Sequence, residues 1–97
     1  METAITIEHD SDNNEFYSIV NGQTSRLSYV RLPDGKTLDF QSTYVPVELR
    51  GRRIGYYLVE AGLRYAQDNG LTVIPSCPFV KKFADNHPEY RDIITPL

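Results

Sequence analysis

The segment Arg50-Gly51-Arg52-Arg53-Ile54-Gly55 concentrates the residues of this chain that could do chemistry. A run with helical spacing, Ile54 to Asn69, follows at once and is closed by Gly70. Three arginines at a helix start oppose the helix dipole, which places roughly half a positive charge there. An anion at that point reverses the balance. Exposed backbone N–H groups, small glycines and arginine forks together suit a phosphate or pyrophosphate. The alternative is a solvated basic turn with two turn glycines. Cys77, between Ser76 and Pro78, falls at a strand end and a helix start. A helix N-terminus favours thiolate, but a cysteine also serves as a small buried filler. His87 precedes Pro88 at a helix end and reads as a cap or surface residue rather than a base. Lys81 and Lys82 could reach phosphates, and Glu48 and Glu60 could act as bases, with no spacing that singles them out.

Composition limits what such residues can serve. The chain has 97 residues, 40% of them hydrophobic, and is expected to form a single domain over 1–97 with one sheet and one or two helices. A net charge of -3 argues against nucleic acid as a partner, because many phosphates would need neutralising. It also makes the arginine cluster a local feature rather than a product of a basic chain. No apolar run is long enough to span a bilayer, and Glu2 stands where a signal peptide would begin with basic residues. A single cysteine cannot form an internal disulfide, so a reducing cytoplasm is the simplest setting. His9, His87 and Cys77 lack metal-site spacing.

The elements that position these residues read as strands first, then helices. Alternation predicts strands over Thr3–His9, Glu15–Val20, Ser25–Leu32 and Thr37–Val45. Asn21-Gly22 and Pro33-Asp34-Gly35 are the turns of an antiparallel meander. From Ile54 the period becomes helical. Leu58, Val59, Gly62, Leu63 and Ala66 share one face, with Glu60 and Arg64 opposite as a favourable i,i+4 pair. Gly62 weakens a helix by up to about 1 kcal/mol against alanine, which makes sense where the helix lies close on a sheet. Leu71–Ser76 reads as a short strand. Strand, helix, strand is a βαβ crossover, so the fourth and fifth strands should be parallel. Pro78 opens a second helix, to about Asn86, and His87-Pro88 stops it before a short final turn.

These residues resemble a family. Arg50-Gly51-Arg52-Arg53-Ile54-Gly55, after a strand ending Tyr44-Val45-Pro46, is similar to the acetyl-coenzyme A signature of GNAT-superfamily N-acetyltransferases: Arg or Gln, two residues, Gly, one residue, Gly or Ala. The segment Val73-Ile74-Pro75-Ser76-Cys77-Pro78-Phe79-Val80 resembles a minimal, short subgroup of that superfamily. The resemblance implies a truncated GNAT-like α+β fold: a mixed, mostly antiparallel sheet with a βαβ crossover and a C-terminal helix. It implies acetyl-coenzyme A as cofactor. Tyr44, Val45, Arg50, Gly51, Arg52, Arg53, Ile54, Gly55, Tyr56 and Lys82 are then the cofactor-binding candidates. A backbone N–H near Val45 would polarise the thioester carbonyl, and Cys77 would face the acetyl end, where a thiolate could take the acetyl group and pass it on. The slot for the cofactor is expected where the two parallel strands splay, at Val45 and near Ser76.

The sequence also departs from the family pattern. Arg53 stands where the signature has its first glycine. The helices that usually follow the first strand, and the usual closing strands, have no counterpart. The acceptor side is therefore expected to be open, which favours a protein or other macromolecular acceptor, or a site completed in a homodimer. Two functions remain. One is acetyl transfer from acetyl-coenzyme A to an amine, supported by Cys77 in its Pro-Ser-Cys-Pro frame. The other is a non-catalytic module binding coenzyme A or a protein, supported by Arg53 and the absent walls.

Overall fold

Four antiparallel strands and a fifth parallel one form the frame on which the arginine loop is mounted. The computed structural model describes residues 5–95. The strands are β1 (Glu8–Asp10), β2 (Glu15–Val20), β3 (Gln23–Arg31), β4 (Thr37–Tyr44) and β5 (Thr72–Ile74), in that order across the sheet. β4 and β5 are the parallel pair, joined by helix α1 (Ile54–Asp68), and helix α2 (Pro78–Asp85) follows β5. Short 3-10 turns, Val47–Leu49 and Pro88–Ile93, precede α1 and end the described chain. No helix among the described residues is long and apolar enough to cross a membrane.

Local signals account for most boundaries. Asn21 and Gly22 both take positive φ, 52° and 74°, as a two-residue turn matching the strand twist requires. Asp34 closes the next turn by accepting from the N–H groups of Lys36 and Thr37 and from the Thr37 hydroxyl. α1 ends with Gly70 at φ 67°, its N–H donating to the Gln67 carbonyl and that of Leu71 to the Ala66 carbonyl. The first strand is shorter than the alternation suggests. Of the expected Thr3–His9, residues Ile5 to Ile7 carry no ladder and only Glu8–Asp10 pairs with β2, while Thr3 and Ala4 lie outside the described residues. Ile5 and Ile7 instead pack against the core as an arm, which alternation alone cannot distinguish from a strand. β5 is likewise trimmed, since Pro75 cannot donate to a ladder. Among the described residues the i,i+4 ion pair on a helix is Lys81 with Asp85 at 3.2 Å, not Glu60 with Arg64. Both partners are exposed, so it contributes little.

One face of the sheet holds the core. Phe16, Leu27, Tyr29, Leu38 and Phe40 meet Ile54, Leu58, Val59, Leu63 and Ala66 of α1. Gly62 is the closest approach: a Cβ there would lie 2.9 Å from Phe40 Cε2 and 3.0 Å from Leu27 Cδ2, both fully buried. Gly62→Ala gains about 1 kcal/mol of helix propensity but overpacks the core at a cost of about 1–3 kcal/mol. We expect a net loss and a melting temperature lower by several degrees; a rise would show that the sheet yields more easily than its packing implies.

His9 closes the β1 edge of this core. Its ring stacks on Phe16 at 4.1 Å, and its Nε2 lies 2.7 Å from the Tyr29 hydroxyl. Burial, then the positive charge of Arg31, holds its pKa below the usual 6.5. The folded state thus prefers neutral imidazole. Its contribution is fully present above pH 6.5 and is lost as pH falls through the depressed folded value. Stability should decline on acidification from pH 7 towards 5, before most carboxylates titrate. A melting series in this window should be flatter for His9→Phe; an equal slope would remove His9 as the cause.

Candidate functional site

The β4–β5 ladder is short. It pairs Thr37, Leu38 and Asp39 with Thr72, Val73 and Ile74, and then the strands part. One further bond, from the Cys77 N–H to the Phe40 carbonyl at 2.9 Å, returns the chain to β4 before α2 begins. β4 runs on to Tyr44 with β3 alone beside it. The last ladder pair is Asp39 with Ile74 and the last bond joins Phe40 and Cys77, so on β4 the separation starts earlier than Val45, while on the other side it begins just past Ser76.

A β-bulge changes the direction of the free end of β4. Tyr29 pairs with Phe40 and Ser28 with Ser42, so Gln41 is the extra residue. Strict alternation after Leu38 and Phe40 would turn Ser42 and Tyr44 inward. The bulge makes them exposed and turns Thr43 and Val45, both half-buried, to the helix side. Nothing in the sequence marked this switch, and Thr43 was not among the expected residues.

An open cleft of about 580 Å³ lies where β4 loses its partner. Its walls are Thr43, Tyr44 and Val45 from β4 and its end, Leu49, Arg50 and Gly51 from the loop, Arg53 to Tyr56 from the start of α1, and Phe79 from α2. The loop folds tightly: Gly51 has φ 88°, and Arg50 Nε donates to the Val45 carbonyl at 3.0 Å. The first intrahelical bond of α1 runs from Tyr57 N–H to the Arg53 carbonyl. The N–H groups of Ile54, Gly55 and Tyr56 therefore have no intrahelical acceptor. No side chain caps this end, and its first turn has no acidic residue.

Arg53 adopts φ 64° and ψ 20°, a left-handed conformation that glycine takes freely and other residues at a cost. Its guanidinium lies 4.6 Å from the Tyr56 ring centroid. The side chain has swung over Tyr56 rather than across the backbone. Gly55 has a steric reason too: a Cβ there would come within 3.0 Å of the Phe79 ring. Tyr56 packs edge-on to Phe83, and its hydroxyl is 3.5 Å from His87 Nε2. His87 Nδ1 lies 2.7 Å from the Phe83 carbonyl. A carbonyl only accepts, so the Nδ1–H group donates to it, and Nε2 is the ring nitrogen that faces the Tyr56 hydroxyl. His87 thus ties the end of α2 to the start of α1.

Eight of the expected cofactor residues line this one cleft: Tyr44, Val45, Arg50, Gly51, Arg53, Ile54, Gly55 and Tyr56. Arg52 and Lys82 are exposed and lie outside its walls. Cys77 begins α2 but is only 5% exposed and does not line the cleft. Its Sγ sits 3.5 Å behind Thr43 Oγ1, which does. Besides Thr43, the sequence reading missed Leu49, Phe79 and Asp39. Asp39 stands at the last β4–β5 pair, on the face away from the helices. Its Oδ2 accepts from Gln41, while Oδ1 is buried with no hydrogen-bond partner among the described residues.

Comparison with known proteins decides the family. A model of the GCN5-related N-acetyltransferases matches residues 15–93, which takes in the sheet from β2 onward, the cleft and both helices. The chain belongs to that family. Protein NATD1 of Danio rerio is 30% identical over 97% of this chain and 88% of its own length. Protein NATD1 of Homo sapiens is 30% identical over 95% of this chain and 84% of its own. The NMR solution structure of a GCN5-like protein from Staphylococcus aureus superposes with a TM-score of 0.72 at 29% identity, covering 95% of this chain and 89% of that one. The GNAT-like mixed sheet expected from the sequence is thus the fold of this N-acetyltransferase family member.

Proposed function

We propose that this family member is an acetyl-coenzyme A-dependent N-acetyltransferase acting on an amine. The observation that carries the reading is the cleft at the parted strands, one wall of which is an uncapped helix start flanked by arginines. Those residues fit the cofactor's diphosphate: three helix N–H donors and two cleft-lining cations meet, without a carboxylate in the first helical turn. Arg50, Arg53 and the N–H groups of Ile54, Gly55 and Tyr56 hold the phosphates. Arg52 and Lys82 add positive charge outside the cleft. Backbone groups of Tyr44 and Val45 hold the pantetheine arm, and the Val45 N–H serves as oxyanion donor. When bound there, acetyl-coenzyme A would supply an activated thioester for the amine nitrogen to attack, with the coenzyme A thiolate as leaving group and one amine proton to be removed. Asp39, with one unpartnered oxygen beside the strand separation, takes that proton directly or through water.

Transfer is direct. Cys77 is buried behind Thr43 and shapes the acetyl end rather than carrying the acetyl group. The test combines calorimetric titration of acetyl-coenzyme A with mass detection of acetylated peptide amines. Cys77→Ala should bind the cofactor as the parent does and keep the rate within about tenfold, since positioning and the oxyanion donor supply most of the acceleration. Complete loss of transfer with binding and melting intact would establish the covalent route. Cofactor binding with no transfer to any amine, in either protein, would leave a binding module instead.

A further inference from the structure

The two faces of the sheet carry opposite demands. One is covered by the helices, and the other is open to solvent, with Ile19 63% and Val30 41% exposed. Strand register aligns the open face into rows. Glu8, Tyr17, Arg26 and Tyr44 cross the sheet in one row, and Asp10, Glu15, Ser28 and Ser42 in the next. Val30, Asp39 and Ile74 form a third. Its ionised groups are Glu8, Asp10, Glu15 and Asp39 against Arg26, which already pairs with Glu15 at 3.8 Å. Among the described residues, three carboxylates of this face are left without a cation. The arginines Arg50, Arg52 and Arg53 lie in the loop that leads into α1, outside the strands that form these rows.

We infer that this open sheet face docks an extended cationic peptide, presenting a lysine beside Asp39 and a second basic residue to Glu8 and Asp10. The inference rests on the proposed acetyl transfer for the fate of that lysine. Three features choose the occupant. The charge is complementary to a cation and opposes an acidic partner. The surface is the flat side of a sheet, whereas small amines are held in concave sites. It is also continuous with the cleft, because Tyr44 stands on the open face and also lines the cleft, and Asp39 marks where β4 and β5 part. Asp39 lies three strand spacings across the sheet from Asp10 and Glu8 and also one or two rows along it, about 16–20 Å in all, or roughly five to six residues of extended chain. The preferred acceptor therefore has its second basic residue about five or six positions from the acetylated lysine.

The test uses the isotope-labelled full chain and a synthetic glycine-serine peptide bearing one lysine and one arginine about five residues apart. Amide shifts should concentrate on Tyr17, Arg26, Ser28 and Tyr44 and spare the outer side of α1 at Glu60, Arg64 and Gln67. Binding should weaken as salt rises. Glu8→Gln combined with Asp39→Asn should weaken it about tenfold, and Glu60→Gln should leave it unchanged. Shifts on α1, equal binding of a peptide with both charges removed, equal binding of spermine, or no shifts at all would overturn the docking face. This readout needs no cofactor. Acetyl transfer to the peptide that ignores Glu8→Gln sinks the docking face but leaves the proposed activity; sheet shifts with no acetyl-coenzyme A binding do the reverse.

Discussion

Arg53→Gly is expected to fold as well as the parent chain and to bind acetyl-coenzyme A at least about tenfold more weakly. The two halves of the expectation have separate causes. The backbone at residue 53 sits at φ 64°, where glycine removes a penalty of order 1 kcal/mol. The stack on Tyr56 that is lost contributes a similar amount, about 0.5–1 kcal/mol for a partly exposed pair. Stability is then nearly unchanged, so a loss of affinity reports on the side chain. Arg50→Ala should cost affinity of the same order and also loosen the loop, because its Nε holds the Val45 carbonyl. Arg52→Ala, outside the cleft walls, should do least and act through long-range charge that salt screens. Calorimetry at two salt concentrations orders the three. Equal affinities for parent, Arg53→Gly and Arg50→Ala would sink the assignment of the phosphate site to this loop.

The same loop shows where sequence was enough and where it stopped. Residues 50 to 55 carried their own signal, since arginines and glycines at a helix start conflict with the dipole unless something else is present. The helix face from Ile54 to Ala66 was legible because its period is fixed by one burial direction, and all of its expected core residues are buried. Gly62 was readable as a close approach for the same reason. What could not be read depends on register. The bulge at Gln41 turns Thr43 and Val45 into the cleft, yet a bulge is a property of two paired strands, not of one segment. Cys77 shows a second limit. Its place before Pro78 gave the helix start correctly, but whether its sulfur faces the cleft or lies behind Thr43 depends on where α2 leaves the sheet. Asp39 escaped notice because a lone carboxylate in a strand has no local signature. Only its place at the last β4–β5 pair, with one oxygen unpartnered, distinguishes it.

Leu63→Asp should abolish cooperative folding at room temperature. Leu63 is fully buried one residue from Gly62, where α1 presses on the sheet so closely that a single added carbon would contact Phe40 and Leu27. Losing the leucine removes about 1.5–3 kcal/mol of burial, and the space left behind adds to that. Among the described residues the buried polar groups are Ser18, Ser25 and Thr37, none of them a cation, and an unpaired buried charge costs several kcal/mol more. A domain of this size has a total stability of about 5–15 kcal/mol, with small ones near the bottom of that range. The penalties together match or exceed it. The charge cannot escape by tilting the helix, because Leu58, Val59 and Ala66 hold the same face against the sheet. Arg64→Asp, one position further round the helix and exposed, is the control: it should change stability by no more than about 0.5 kcal/mol. Near-ultraviolet dichroism and amide dispersion should both collapse for the first variant and survive in the second. A Leu63→Asp protein that melts cooperatively within a few degrees of the parent would mean that α1 does not bear on the sheet through this face, and the cleft at its N-terminus would lose the frame that positions it.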